Sequence, residues 1–443
     1  MKIHVIGIGG IGISGLARFM LAQGHEVSGS DISETAITRR LQDLGMQLTI
    51  PHDASAITDQ DLVVHSAIIR PDNVEVIAAN EKNIEVLARR EALPMIVKDK
   101  KVYAVCGAHG KSTTTAILSS VMEGSAIIGA ESKEFGDNVR SSDCDVLLFE
   151  ADESDGSFLN SNPYCAIVPN AEPEHMEYYD YNFERFYDAY KNFINLATLR
   201  VINAEDPFLS TLKCEAIRLY PSKDIKSIEY VLINDEPHTR FELLDMGIFE
   251  VWGFGEHIAI DAALAVLAAI QSEGLETVRA KLLNFKGIKK RFDIINKESS
   301  ILIDDYGHHP TEIAATLEAV REGWAGRRLV VIFQPHRYSR TQDLLEDFAT
   351  VLSSVDPLFI TEVYAAGETP VPGADGRAIC RAIASLGGVD PVFVPDLTRL
   401  PEQLMDTLKD GDVVLTLGAG DIGTVATSLP EAMQRFDMAE GGR

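Results

Sequence analysis

Several loops carry residue types at spacings that suit chemistry. Gly107-Ala108-His109-Gly110-Lys111-Ser112 ends in a Gly-Lys-Ser step. Its backbone N–H groups can wrap phosphate oxygens, Lys111 can reach β/γ-phosphates, and the Ser112 hydroxyl can ligate Mg2+. Val105 stands where a strict eight-residue phosphate loop has its first glycine. A chance Gly-Lys-Ser is common, but one set between an apolar strand (102–106) and a helix (112–122) is not. Downstream, Glu150-Ala151-Asp152-Glu153-Ser154-Asp155 follows the apolar run Val146-Leu147-Leu148-Phe149 and places four carboxylates in six residues. Such oxygens at a strand end suit a hard cation, with Glu150 nearest the strand. A solvated acidic turn accounts for one or two of them. His175, after the strand 165–168, emerges at the same sheet edge, although a lone histidine is more often structural.

A second glycine loop, Gly7-Ile8-Gly9-Gly10-Ile11-Gly12, reads as G-x-G-x-x-G between a strand and a helix. Gly7 allows the tight turn, Gly9 the approach of a pyrophosphate, and Gly12 close helix–strand packing. Asp31, 19 residues past Gly12, suits ribose hydroxyls. Taken alone, this would fit a nicotinamide-dependent oxidoreductase, which leaves Gly107–Ser112 and the Glu150 cluster without a purpose. Toward the C-terminus, Asp304-Asp305-Tyr306-Gly307-His308-His309 and Gln334-Pro335-His336-Arg337-Tyr338-Ser339-Arg340 both end strands. Adjacent His308 and His309 diverge and lack a third metal ligand, whereas Arg337 and Arg340 suit a carboxylate or phosphate clamp. Gly418-Ala419-Gly420-Asp421 reads as a tight turn before a helix.

The elements that must position these loops alternate, short β-branched runs with helical patterns, which is the signature of α/β units with parallel sheets. The chain has 443 residues, enough for about three domains. They are expected at residues 1–97, 98–285 and 286–443, with a linker around 92–101 marked by Pro94. Helices are expected at 15–23, 112–122, 183–196, 261–272, 311–322 and 342–352. Forty Lys and Arg face 67 Asp and Glu, a formal charge of −27. A surface this acidic repels nucleic acid and anionic lipid, so anionic ligands need local cradles. Five scattered cysteines without C-x-x-C spacing suit free thiols in a reducing cytoplasm. Glycines interrupt the apolar N-terminus, which argues against a signal peptide, and no apolar run is long enough for a membrane span.

In order along nearly the whole chain, GIGGIGISGLA, His65-Ser66-Ala67-Ile68, GAHGKSTTT, EADESDGSFL, EPEHM, FKGIKKRF, DDYGHHPTEI, QPHRYSRT and VYAAGE resemble the Mur ligases of peptidoglycan synthesis. The resemblance implies a Rossmann-like UDP-sugar domain, a central P-loop ATPase domain and a Rossmann-like C-terminal domain. It implies ATP-driven joining of L-alanine to the carboxylate of UDP-N-acetylmuramate through an acyl phosphate, by a cytoplasmic monomer or homodimer. Gly107, Ala108, His109, Gly110, Lys111, Ser112, Thr113, His257, Arg291 and Asp305 would then bind ATP. Mg2+ would take Ser112, Glu150 and His175. Gly9, Gly10, Ile11, Gly12, Asp31, His65 and Ser66 would hold the UDP-sugar, and Tyr306, His308, Arg337 and Arg340 the amino acid. Lys111, His175, His308, Arg337 and Arg340 form the implied catalytic set. The sequence departs from the family pattern at Ser112 in place of threonine, at Asp261 in place of an asparagine, and at Lys290 in place of an arginine.

Overall fold

The computed structural model describes residues 1–234, 236–297 and 300–440, with backbone alone for 432–440. It is an α/β protein with three parallel-dominated sheets. In the first, the strands run in the order Gln47–Thr49, Glu26–Ser30, Lys2–Ile6, Leu62–His65, Glu85–Ala88, all parallel. Lys2–Ile6 lies at the switch point between its two neighbours, so Gly7 leaves the sheet where a crevice opens. The second sheet has seven strands. Lys101–Val105 sits between Pro163–Val168 and Val146–Glu150, and the hairpin Ser125–Ser132/Asp137–Arg140 closes one edge. The third has six, with Ile301–Asp305 and Leu329–Phe333 flanking Val413–Leu417 and the antiparallel Asp293–Asn296 at an edge. A three-stranded sheet of Ile225–Ile233, Glu236–Leu243 and Ile248–Trp252 completes the set.

Contacts gather the chain into two compact units. One comprises Met1–Ile228, Arg240–Val251 and Ile258–Lys286, the other Glu229–Thr239, Trp252–His257 and Gly287–Arg443. The first unit contains the first two sheets, joined by Arg18 and Arg40, which both pair with Asp137 of the edge hairpin. Its core strands are β-branched and buried on both faces, as parallel sheets require. Helix Phe183–Leu196 shows how pattern becomes packing. Asn182 caps it by accepting the Arg185 N–H at 3.1 Å. Phe186, Tyr190, Phe193 and Ile194 then fall on one face and are all buried. Phe158 packs against Tyr190 and Phe193 with ring centroids 5.6 and 5.2 Å apart.

Some local expectations change. The first helix begins at Ile11 rather than residue 15, and the one expected at 261–272 spans Glu256–Ala269. Half of the expected linker, residues 92–96, belongs to the helix Arg89–Ile96, with Ala92 and Leu93 buried, and the rest is the turn that leads into strand Lys101–Val105. Pro94 lacks the N–H that would bond the Arg90 carbonyl, so this short helix gives up one backbone bond there. The helix expected at 342–352 is split into Tyr338–Asp343 and Leu345–Leu352. All five cysteines are free, and among the described residues no helix is long and apolar enough to cross a membrane. Truncating Phe193 to alanine should destabilise the first unit by about 3–5 kcal/mol, the cost of a buried aromatic cavity. Urea unfolding followed by circular dichroism measures this.

Candidate active site

The phosphate loop begins where buried Lys101–Val105 ends and closes at Gly110, the N-cap of helix Lys111–Val121. Gly110 has φ +80°, and a Cβ there would lie 2.6 Å from the Asp261 carboxylate, so conformation and space both demand glycine. The first-turn N–H groups of Lys111, Ser112 and Thr113 have no helical acceptor. Asn170 fixes the loop, accepting the His109 N–H at 3.0 Å and donating to the His109 carbonyl at 2.9 Å. His109 itself pairs with Glu172 at 3.1 Å.

Lys111 Nζ donates to the carbonyl oxygens of Gly107 and Ala108, the latter at 3.1 Å, and to Glu153 Oε1 at 3.0 Å. Burial works against its charge, but Glu153, Glu150 and Asp152 outweigh that and hold the ammonium firmly protonated. Burial pushes Glu153 up to about 7 despite Lys111. Its buried Oε2 also lies 3.0 Å from Lys111 Nζ, so both carboxylate oxygens face the ammonium. Ser112 Oγ donates to Glu150 Oε1 at 3.0 Å, and Glu150 Oε2 accepts the Gly129 N–H at 2.5 Å. A hydroxyl and a carboxylate on one spot, with the ion-paired Glu153 carboxylate in the loop that follows, form a donor set that fits a hard divalent cation. His175, at φ +53°, gathers with Glu153 and Glu174, their ligand atoms all within 4.8 Å of one another. The structure therefore unites Ser112 with Glu150 and groups His175 with two carboxylates that the expected metal set left out.

At the other glycine loop, Asp31 Oδ2 accepts the Gly9 N–H at 2.8 Å and Oδ1 the Ile32 N–H at 2.8 Å. His65 ends its strand with Nδ1 2.9 Å from the Ser66 carbonyl, and Ser66 packs against Gly7. Gly10 caps helix Ile11–Ala22 without a side-chain bond. Gly12 faces a guanidinium rather than a strand, because a Cβ there would lie 2.7 Å from Arg89 Nη1. Strand packing is thus the wrong reason for that glycine.

In the second unit, buried Asp305 accepts the N–H groups of Phe292 at 2.7 Å and Gly307 at 2.6 Å. Burial raises it to about 6, against the pull of Arg291 and these bonds. Arg291 donates to Glu312 at 3.1 Å and lies over the Tyr306 ring. Glu312 also accepts the His308 N–H at 3.0 Å, while His308 Nδ1 meets the Tyr306 carbonyl at 2.9 Å. The His308 and His336 rings are 5.6 Å apart, and His336 stacks on Tyr364. Arg340 Nη1 is 3.2 Å from His336 Nδ1. Arg337 caps helix Tyr338–Asp343 at φ +69°, its N–H bonded to the Tyr364 carbonyl at 2.9 Å. Burial, with His308, Arg340 and Arg337 beside it, lowers His336 to about 4. His257 is lowered to about 4 by burial and then by Arg291. Tyr306, His308, Arg337 and Arg340 therefore surround one polar face together with His336 and Tyr364. Sequence reasoning passed over these two, although both lie inside quoted motifs.

Glycine-rich loops at the carboxyl ends of parallel strands, one beside carboxylate oxygens suited to a cation, are the features of a nucleotide-using α/β enzyme. The chain belongs to the Mur ligase family. Residues 2–101 match the model described as Mur ligase family, catalytic domain, and residues 290–420 match that described as Mur ligase, glutamate ligase domain. It is 52% identical to the UDP-N-acetylmuramate–L-alanine ligase of Campylobacter curvus, over 95% of this chain and 98% of that one. With the enzyme of the same name from Helicobacter pylori it shares 50% identity over 95% of each. The crystal structure of UDP-N-acetylmuramate-alanine ligase MurC from Thermotoga maritima is similar with TM-score 0.84 at 29% identity, covering 98% of this chain and 99% of that one. A murein peptide ligase from Psychrobacter arcticus shares the fold, with TM-score 0.64 at 21% identity and 98% coverage of each. The family is ATP-dependent.

Asp305 yields a prediction with a sign. Its carboxyl titrates near 6 in the fold against ~4 when unfolded. Between these values the folded chain keeps a proton that the unfolded chain has released, so this group's contribution to stability falls as pH rises through the window. Asp305→Asn keeps only one acceptor for two N–H groups and should cost about 1–3 kcal/mol. Its penalty should be larger at pH 4 than at pH 7, measured by urea unfolding of both proteins across that range.

Proposed function

We propose that this chain joins L-alanine to the carboxylate of UDP-N-acetylmuramate with hydrolysis of ATP to ADP and phosphate, as a cytoplasmic monomer or homodimer making a peptidoglycan precursor. The observation that carries the reading is the Lys111, Ser112 and Glu150 arrangement at a left-handed Gly110 N-cap, in a chain half identical to ligases of that name. The proposed spans are residues 1–97 for the sugar nucleotide, 98–285 for ATP and 286–443 for the amino acid.

Gly107 to Thr113 cradle the ATP phosphates with backbone N–H groups, and Lys111 leaves its loop carbonyls to neutralise the transferring phosphoryl group. Ser112, Glu150 and His175 would hold Mg2+, which supplies charge neutralisation for phosphoryl transfer. The sugar carboxylate attacks the γ-phosphorus, giving an acyl phosphate and ADP. The alanine amine then attacks the acyl carbon and phosphate leaves. Gly9 to Gly12, Asp31, His65 and Ser66 hold the UDP-sugar, while His257, Arg291 and Asp305 serve the nucleoside end of ATP. Arg337 or Arg340 pairs with the alanine carboxylate, which must be recognised without being activated, and Tyr306 and His308 line its pocket.

Phosphate release should require ATP, UDP-N-acetylmuramate and alanine together. Release independent of the amino acid, or dependent on a tripeptide instead, overturns the reading. Lys111→Ala should abolish turnover while UDP-N-acetylmuramate binding, measured by calorimetry, survives. Loss of both would show that the two phosphate loops are not separate sites.

A further inference from the structure

Arg89 is the residue that no sequence motif singled out and that the fold places between the two loops of the first unit. It opens helix Arg89–Ile96 at the end of strand Glu85–Ala88, on the carboxyl edge of the sheet that also carries Gly7–Gly12. Its Nη2 donates to Asp155 Oδ2 at 2.8 Å, Ser157 Oγ at 3.1 Å and Asp152 Oδ2 at 3.3 Å, all in the loop that follows Glu150. Its Nη1 points the other way, to the place where a side chain on Gly12 would start. A guanidinium offers five N–H donors, yet among the described residues no hydrogen bond uses Nη1. Burial opposes the charge, but Asp155 and Asp152 more than offset it, so the group is a permanent cation.

That placement is electrostatically odd. A cation at the first position of its own helix, facing the first turn of helix Ile11–Ala22, meets two positive helix ends. The neighbouring carboxylates lie on its Nη2 edge. An anion on the Nη1 side would meet the guanidinium and the free first-turn N–H groups of the glycine loop together.

We propose that Arg89 is a ligand of the sugar-nucleotide diphosphate, offering its Nη1 edge to phosphate oxygens at the glycine loop while Nη2 stays fastened to Asp155 and Ser157. The inference rests on the reading of Gly9–Gly12 as the UDP site and adds a side-chain cation to a cradle otherwise made of backbone. It also ties diphosphate binding to the acidic loop that holds Glu153 against Lys111. Gly12 is glycine to leave room for this guanidinium.

The test compares UDP with uridine, which lacks the phosphates, by ligand-observed NMR on wild type, Arg89→Met and Arg89→Lys. Arg89→Met should weaken UDP about tenfold or more, the size of a lost charge-assisted bond, while uridine stays within about twofold. Arg89→Lys keeps charge but loses the two-edged fork, so it should recover only part of the UDP affinity. If Arg89→Met does not fold, the lysine variant decides by the same comparison. Equal losses for UDP and uridine would reduce Arg89 to a structural staple and overturn the proposal, as would unchanged UDP affinity. A wild type that binds neither ligand overturns the glycine-loop reading and this inference with it. Wild-type binding of UDP with insensitive variants overturns Arg89 alone.

Discussion

The rest of the structure depends on a buried ammonium held between carbonyls and carboxylates. Lys111 reaches back to its own loop and across to Glu153, and each contact substitutes for the water that burial removed. A chain of net charge −27 cannot attract polyphosphate by its overall field. It must concentrate positive potential locally, and the means are the same in both sheets of the first unit: a strand end, glycine-rich turns and the first turn of a helix. Around Lys111 the acidic loop supplies compensating charge. That keeps the cation in place, and it places carboxylate oxygens where a divalent ion and a nucleotide would need them.

The alternation of apolar strands and helices was legible because parallel strands buried on both faces are nearly pure Val, Ile and Leu. Glycine-rich junctions were legible because their backbone conformations admit few other residues. Less legible were the edges. Ser125–Ser132 and Asp137–Arg140 carry mixed polar sequences, and their pairing is decided by partners far along the chain, such as Arg18 with Asp137. The helix Arg89–Ile96 was hidden by Pro94, since local propensity gives no hint of how short the helix is.

At the candidate site, residue types were readable and partnerships were not. Glu150 beside Ser112 follows from one strand end facing one helix start. Glu153 on Lys111, Asn170 on His109 and Asp261 against Gly110 each join segments dozens of residues apart, and no spacing rule links them. His336 and Tyr364 likewise stack because two neighbouring parallel strands end at the same level. Asp305 illustrates a subtler failure. Its position at a strand end was clear, but its two bonds to Phe292 and Gly307 show it stitching backbone together, a task that composition cannot announce.

Asp31 on the Gly9 amide has a last implication. The chain thus places its own carboxylate on that amide and fixes the turn from within. Any visitor claiming that donor swaps one negative group for another, and the net electrostatic reward is a small difference. Such a swap favours ready release over tenacious grip, a property suited to a catalyst that must empty itself on every cycle.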